Sequence, residues 1–247
     1  MKKIRISAVS YTNTKPFIYG IQNTGIINQI DLSLDIPADC AQKLIDDKVD
    51  IGLIPVAATL SMPEWHIVSD YCIGAVGAVN SVFIFSNCDI KDVKTIQLDP
   101  QSRTSNNLAL VLLKNFWKIE PQRITDAGDY AQSIDPNTAF VQIGDRTFGK
   151  KAQYKFVYDL AEEWQKLTGL PFLFAAWIAN KPIPKAFTDE FNASLKYGLD
   201  HRAELLKELP TRPDFDLEDY LMHKLDFDLT EDKKKALYLF LDYIKAL

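Results

Sequence analysis

The sequence has few of the residues that zinc, redox and disulfide sites need. It has three cysteines: Cys40, Cys72 and Cys88. They are odd in number and lack the close pairs that zinc sites and redox motifs use, so we interpret them as buried or half-buried thiols in a reducing compartment. No cluster of metal-ligating residues is visible. The sequence therefore predicts no metal and no cofactor.

Catalytic signatures are also scarce. No Gly-rich phosphate loop and no nucleophile-elbow context occur. Three histidines lie in no recognisable motif: His66, His201 and His223. A histidine outside a motif is more often a surface or satisfied core residue than a catalytic one. General-base catalysis by a histidine is therefore not expected.

Long apolar runs and concentrated positive charge are missing too. No apolar run is long enough to cross a bilayer, and the basic N-terminus reaches Asn13 and Lys15 without the apolar core of a signal peptide. We expect a cytoplasmic protein with no membrane insertion. The 28 Lys and Arg are scattered among 33 Asp and Glu, giving a net charge of −5, so nucleic acid is not expected as a partner.

What is present is the composition of an ordinary globular protein, 47% hydrophobic and 25% charged over 247 residues. Short runs rich in β-branched residues alternate with helical patterns, which is typical of an α/β fold with mostly parallel sheets. The expected strands lie at 4–10, 32–36, 50–54, 79–86, 95–99 and 138–144. One apolar stripe predicts a continuous helix over 186–209, and another predicts a last helix after Thr230.

The organisation of the chain changes near 86–92 and again near 180–184. If the chain passes from one lobe to a second lobe at the first change and returns at the second, the segment between them is an insert. This organisation indicates two lobes, one of residues 1–86 and 180–247 and one of residues 87–179. We therefore expect lobes that are each a mostly parallel sheet flanked by helices, with a ligand cleft between them. The segments near Ser86 and Asn180 are the predicted hinges.

Polar loops follow several of the expected strands, where parallel α/β sheets bind ligands. The loop after 4–10 carries Tyr11, Asn13, Thr14 and Lys15 before Pro16, which suits a first helical turn. Asn13 or Thr14 has a plain explanation as the helix cap. Capping alone does not require an amide, a hydroxyl and an ammonium together, so contact with a ligand is an equally good explanation.

A second loop runs from 97 to 105 into a helix expected at 106–117. Thr104 or Ser105 can cap this helix. Together with Ser102 and Arg103, they would form a carboxylate site of hydroxyls, backbone amides and a guanidinium. The simpler explanation is a capped helix with a solvated arginine.

Two further loops carry weaker signals. Gly144 permits a tight turn, and Asp145 is either an N-cap or a ligand group. The strand at 50–54 ends at the same side of the expected sheet as the other loops, and its following helix begins there. We expect the role of this segment to be structural.

Six segments, in order over most of residues 1–180, resemble the chorismate dehydratases of the futalosine pathway of menaquinone biosynthesis. They are Ser-Tyr-Thr-Asn-Thr-Lys-Pro at 10–16, Asp-Ile-Gly-Leu-Ile-Pro at 50–55, Val-Asn-Ser-Val at 79–82, and the segments 99–105, 143–145 and 159–172. The resemblance implies a type II periplasmic-binding-protein-like fold working in the cytoplasm. The implied reaction removes water from chorismate and gives 3-[(1-carboxyvinyl)oxy]benzoate.

By matched position, the resemblance implies that Asn13 engages the reacting ring and that Ser81 hydrogen-bonds the substrate, while Thr104 and Ser105 hold a carboxylate. Because no convincing base is present, we hypothesise that the enolpyruvyl carboxylate of the substrate takes the proton.

Three different functions compete with the dehydratase. The sister enzyme of the pathway, a 1,4-dihydroxy-6-naphthoate synthase, opens with a Ser-Pro-Cys-Pro-Asn type of loop that this sequence lacks. A non-catalytic anion-binding protein of the same fold would usually need export, and a ligand-sensing regulatory domain would normally be joined to a DNA-binding segment. We therefore rank the dehydratase first. The sequence predicts no oligomeric state.

Overall fold

The computed structural model describes residues 3–125 and 136–247, which contain two β-sheets flanked by helices. The strands are β1 Ile4–Val9, β2 Ile30–Asp35, β3 Ile51–Pro55, β4 His66–Ala75, β5 Val82–Ser86, β6 Thr95–Gln97, β7 Gln122–Ile124, β8 Thr138–Ile143, β9 Phe156–Asp159, β10 Phe172–Ala179 and β11 Asp226–Asp228. The helices are α1 Lys15–Gln22, α2 Pro37–Ile45, α3 Arg103–Leu112, α4 Leu160–Thr168, α5 Lys185–Asp200, α6 Arg202–Glu208, α7 Leu217–Asp219 and α8 Glu231–Lys245.

The first sheet has the strand order β11-β4-β10-β3-β1-β2. Strand β1 pairs in parallel with β2 and β3, while β10 pairs antiparallel with β3 and β4. Strands β3 and β10 are buried along their whole length. Helices cover both faces of a sheet of this kind, so its central strands are continuous apolar runs rather than alternating ones.

The second sheet has the strand order β7-β6-β8-β5-β9. Strand β6 pairs in parallel with β7 and β8, whereas β5 is antiparallel to β8 and β9. Within the described residues, β10 and β11 run opposite to the other strands of the first sheet, and β5 runs opposite to the other strands of the second. The predicted α/β class with two mixed sheets is therefore confirmed, but antiparallel pairs are at least as frequent as parallel ones because the reversed strands lie between strands of the other direction or at their side.

The sheet membership differs from the boundaries expected near residues 86 and 180. Strand β5 belongs to the second sheet and β10 to the first, so the chain changes sheet between β4 and β5 and between β9 and β10. The apolar run 79–86 predicted one strand. Asn80 has a left-handed φ of 64°, which interrupts the extended backbone, so β5 begins at Val82. The change in composition after residue 86 marks a loop inside the second sheet.

The long helix predicted over 186–209 is interrupted. His201 lies between α5 and α6 with φ −106° and ψ 26°, and its ring contacts the carbonyl of Tyr197. The apolar stripe nevertheless continues through both helices, because Phe191, Leu195 and Leu205 are all buried. The last helix begins as predicted, with the Thr230 hydroxyl accepting a hydrogen bond from the Lys233 backbone N–H.

Candidate functional site

A cavity lies between the two sheets, beyond the carboxyl ends of β1 and β3. Its volume is about 60 Å³. Four separate segments supply the predicted site residues that line it: Tyr11, Asn13, Thr14, Ser81, Ser102, Thr104, Ser105 and Gly144. Apolar residues complete the wall: Val9, Pro37, Pro55, Ile73, Val79, Val82, Ile143, Phe174, Ala175 and Leu225. Most of the predicted site residues thus line one cavity.

Asn13 and Thr14 lie in the 3₁₀ turn Thr12–Thr14 that joins β1 to α1. Thr14 is the N-cap of α1, but its side chain makes no capping bond. Its hydroxyl donates instead to Asn13 Oδ1 at 3.2 Å, and Thr14 is fully buried. Helix capping therefore does not explain why an amide and a hydroxyl occur at positions 13 and 14. Both residues line the cavity.

Ser81 directly precedes β5 at the first change of sheet and is 1% exposed. The turn before it is held by Asp159, whose carboxylate accepts the backbone N–H groups of Val79 at 3.2 Å and Asn80 at 2.7 Å. Burial raises the pKa of Asp159 to about 6, against the opposing effect of its backbone donors. A single buried carboxyl group thus fixes the turn that presents Ser81.

The amino end of α3 supplies three hydroxyl-bearing residues to the cavity wall. Ser102, rather than Thr104 or Ser105, is the cap, because its Oγ accepts the Ser105 N–H at 3.0 Å. The Thr104 hydroxyl oxygen accepts the Ala57 N–H at 3.1 Å, which links the two halves of the molecule. The first N–H groups of a helix have no partner within it, so this end suits an anion.

Gly144 provides a close approach between the two halves. Its φ is +63°, and a Cβ there would lie 2.7 Å from the Tyr11 ring. Its N–H donates to the Ser81 carbonyl at 2.8 Å, so this N–H is not free for a ligand. Gly144 therefore shapes the wall between Tyr11 and Ser81.

Three other predicted site residues lie outside the cavity. Lys15 is half-buried on a separate depression beside Tyr11. The Arg103 guanidinium reaches outward and donates to Gln42 Oε1 at 3.3 Å. Asp145 accepts the backbone N–H of Thr12 at 3.1 Å and its hydroxyl at 2.8 Å, which makes it a link across the cleft.

The cavity wall carries no carboxylate, ammonium, guanidinium or imidazole among its lining residues in the described parts of the chain. Tyr11 is the ionisable side chain in that lining, and burial raises the pKa of this phenol. The Tyr11 hydroxyl donates to Gln101 Oε1, across the cleft. At neutral pH the wall is therefore a set of neutral donors and acceptors.

Two contributors to the site are not among the predicted site residues. Tyr220 is fully buried and its hydroxyl donates to Ser81 Oγ at 2.9 Å. Asp99 is buried and accepts the Arg146 guanidinium, the Gln101 N–H and the Ile143 N–H, which ties the loop before α3 to the end of β8. Tyr220 has no local motif, because its partner Ser81 is distant in sequence. Asp99 belongs to the matching segment 99–105, but its bonds to the distant Ile143 and Arg146 have no local signal.

Residues 3–125 and 136–247 contain neither a candidate metal cluster nor a helix of membrane-spanning character. No group of three or more His, Cys, Asp or Glu side chains there could hold a metal ion. No helix in the same ranges combines the length and apolar character needed to cross a bilayer.

Solved structures of similar shape define the class of protein. The chain matches protein AF1704 from Archaeoglobus fulgidus with a TM-score of 0.71 at 13% identity, over 99% of this chain and 97% of that one. It matches the periplasmic aliphatic sulphonate binding protein SsuA from Escherichia coli with a TM-score of 0.66 at 14% identity, over 100% and 92%. It also matches a Candida albicans protein with the generic periplasmic-binding-protein fold, with a TM-score of 0.64 at 11% identity, over 100% and 94%. The predicted periplasmic-binding-protein-like fold is confirmed.

The family is narrower than the fold. A model of the menaquinone-biosynthesis family matches residues 4–246, which is nearly the whole chain. The protein belongs to this family. The predicted place in menaquinone biosynthesis is thereby confirmed, and the match includes the C-terminal segment that carries Tyr220.

Proposed function

We propose that the protein is a chorismate dehydratase. It removes the ring hydrogen at the ether-bearing carbon of chorismate and the neighbouring hydroxyl, and it releases water and 3-[(1-carboxyvinyl)oxy]benzoate for the futalosine route. One observation carries the proposal: Asn13, Ser81 and the capped end of α3 line one cavity whose described wall is neutral. Family membership in menaquinone biosynthesis supports the same pathway.

The neutral wall supports proton transfer within the substrate. The ring hydrogen is acidified by conjugation with the ring carboxylate, but no described lining side chain of suitable pKa is present to accept it. The enolpyruvyl carboxylate of chorismate can reach its own ring and acts as the base. Holding this carboxylate in a reactive orientation replaces a protein base, because effective molarities of well-oriented internal groups are high.

The amino end of α3 is suited to bind the second carboxylate of chorismate, the one on the ring. Hydroxyls of Ser102, Thr104 and Ser105 surround backbone N–H groups at a positive helix end. A carboxylate conjugated with the ring would be held there, and the same donors would stabilise the negative charge that spreads onto it as the proton leaves.

The chemistry ends with loss of the ring hydroxyl. Asn13 and Ser81 line the cavity, and their amide and hydroxyl hydrogens can be donated to the departing oxygen. The enolpyruvyl carboxylic acid then passes the proton taken from the ring carbon to the departing oxygen, which leaves as water, and the carboxylate is regenerated. Formation of the aromatic benzoate ring drives the reaction.

The size of the cavity supports opening and closing of the two halves. A cavity of ~150 Å³ accommodates benzene, whereas this one measures about 60 Å³. Chorismate is larger than benzene, so the halves must separate to admit it. The contacts that join the halves, Thr12 with Asp145 and Ala57 with Thr104, would break and form again in each cycle.

The sister 1,4-dihydroxy-6-naphthoate synthase is the second candidate within the pathway. The loop that contains Asn13 has a Thr-Asn-Thr-Lys-Pro sequence in place of the cysteine- and proline-containing loop of that enzyme. A thiol is also absent from the cavity lining in the described residues. Both features favour the dehydratase.

The test is incubation of purified protein with chorismate, followed by mass and aromatic absorbance. We expect a product lighter than chorismate by one water, with benzoate absorbance. The matched control is the Asn13→Ala variant under the same conditions. Unchanged chorismate with folded wild-type protein would overturn the proposal, and binding without turnover would favour a non-catalytic anion-binding protein.

A further inference from the structure

Tyr220 lies in a C-terminal segment that carries no sequence motif of the site. It follows α7, at the start of a π-helical turn, and its side chain is fully buried. Its ring packs edge-on against Phe148 at 5.5 Å and Phe215 at 5.3 Å between centroids. Two aromatic neighbours on different segments hold the ring in one orientation.

The Tyr220 hydroxyl contacts Ser81, one of the two residues proposed for the reaction. It donates to Ser81 Oγ at 2.9 Å. Burial raises the pKa of the phenol well above its ordinary value. The phenol therefore stays protonated at neutral pH, and it acts there as a donor.

A donor on Ser81 Oγ decides where the serine hydrogen points. A hydroxyl has one hydrogen to donate and two lone pairs that accept. Tyr220 occupies a lone pair, and the Ser81 carbonyl is occupied by the Gly144 N–H at 2.8 Å. The serine hydrogen must turn away from Tyr220, and the remaining side of Ser81 is the cavity.

We propose that Tyr220 is a positioning residue that fixes the Ser81 hydroxyl as a donor into the cavity, toward the hydroxyl that leaves the substrate. This inference rests on the proposed dehydration of chorismate. The donor chain runs from the Tyr220 O–H to Ser81 Oγ and from the Ser81 O–H to the substrate oxygen. A hydrogen bond that is received strengthens the one that is given, so Ser81 becomes a better donor than an isolated serine.

The test variant is Tyr220→Phe, which removes only the hydroxyl and keeps the ring between its aromatic neighbours. We expect kcat for chorismate to fall roughly 10- to 100-fold, the range for groups that support a reacting residue, with KM nearly unchanged. The matched control is Tyr158→Phe, which removes a hydroxyl that accepts the Ile90 N–H in the second sheet, away from the cavity. Near-UV circular dichroism checks that both variants are folded. Replacing Tyr220 with 3-fluorotyrosine keeps the hydroxyl and should restore most of the kcat that Tyr220→Phe loses.

A double-mutant cycle separates positioning from packing. If Tyr220 acts through Ser81, the pair Ser81→Ala with Tyr220→Phe loses no more kcat than Ser81→Ala alone. Additive losses would mean that the phenol acts independently of Ser81 and would overturn the inference. So would an unchanged kcat in Tyr220→Phe, or a rise in KM with constant kcat.

Failure of the proposed function has a different signature. A wild-type protein that leaves chorismate intact removes the reaction on which the inference rests, and it overturns both together. A wild-type protein that turns chorismate over while the cycle is additive overturns the role of Tyr220 and leaves the dehydratase proposal standing.

Discussion

The amino ends and the carboxyl ends of the parallel strands β1, β2 and β3 form two opposite edges of the first sheet. These two edges, called here the amino edge and the carboxyl edge, differ in how they use charge. At the amino edge, where β3 begins, Asp50 pairs with Arg5 at 2.8 Å and with Lys181 at 2.7 Å. At the carboxyl edge, where β1 and β3 end, the polar part of the described cavity wall consists of amide and hydroxyl groups, and the wall carries no formal charge. The ion pair at this edge, Lys43 with Asp35 at the end of β2, lies outside the cavity lining.

The difference follows from what each edge must hold. The ion pairs at the amino edge join β1, β3 and the chain after β10, and partial exposure keeps their desolvation cost small. A fixed carboxylate inside the cavity would cost far more to bury and would repel the proposed dianionic substrate. Neutral donors at helix ends can stabilise an anion without becoming a base themselves.

The largest expected effect comes from removing the donors at the carboxyl edge. Asn13→Ala and Ser81→Ala should each lower kcat for chorismate by about 10²- to 10³-fold, as loss of one oriented donor to a developing charge does. Binding should change much less, because the lost interaction is made mainly as the hydroxyl leaves. Steady-state kinetics and calorimetric binding measure the two separately.

The controls are residues of the same type at places that do not line the cavity. Ser86→Ala removes a buried hydroxyl at the other end of β5 that bonds the Cys88 carbonyl. Asn23→Ala removes an amide at the far end of α1. Either control with the same loss of kcat as its partner would mean that stability, not chemistry, sets the effect.

The next largest effect is expected where the two halves meet. Gly144→Ala adds a methyl group at a positive φ and against the Tyr11 ring, so it should cost about 2 kcal/mol or more of the free energy of unfolding. Urea unfolding measures the loss. Gly25→Ala is the matched control, because its Cβ would meet nothing within 4 Å. Equal stabilities of the two variants would contradict the close packing at Gly144.

At the amino edge we expect a smaller effect that depends on pH. The Arg5 guanidinium lowers the pKa of Asp50 below its ordinary value. The stabilisation is therefore present above the unfolded pKa of about 3.9 and is lost as the pH falls through and below it. Asp50→Asn should cost about 1 to 2 kcal/mol at pH 7 and flatten the decrease in unfolding free energy between neutral pH and pH ~3.

An exposed ion pair is the control for that measurement. Asp232→Asn removes a partner of Lys235 on α8, where both side chains are more than half exposed. We expect its stability to follow the wild-type pH curve. Asp159 contributes with the opposite sign, because its pKa is raised to about 6. Its contribution is full below the unfolded pKa and decreases as the pH rises to about 6.

The smallest effects are expected for the histidines. His66 pairs with exposed Glu64 and His201 stacks on Tyr197, and His223 also lies outside the cavity lining. His→Gln at each position should leave kcat within roughly twofold of wild type, as surface substitutions do. A histidine variant that folds normally and loses turnover would restore a protein base to the mechanism.

The loops around the cavity could be predicted because their signals are local. A strand followed by Asn, Thr, Lys and Pro, or by Ser, Thr and Ser, is visible within ten residues of sequence. The cap of α3 could not be assigned, since Ser102, Thr104 and Ser105 all suit an N-cap by residue type. Ser102 is the cap because α3 begins at Arg103 and the Ser102 Oγ accepts the Ser105 N–H, whereas the Thr104 hydroxyl accepts the Ala57 N–H from the other half of the molecule.

The direction of long side chains could not be predicted either. Arg103 was expected to face the ligand, but its first-turn position on α3 lets the guanidinium reach Gln42 on α2 instead. The boundaries at 86 and 180 were predicted from composition. Strand pairing instead places β5 in the second sheet and β10 in the first. Composition changes at loops, and not every loop lies between sheets.

The sequence by itself determined the α/β class and the polar loops at the strand ends. Only the tertiary structure decided which of these groups meet: Tyr220 reaches Ser81 over a separation of 139 residues. The physical reason is that residue type and periodicity set what a segment can form, while a hydrogen bond requires two atoms at about 3 Å. That distance is set by the packing of the whole chain.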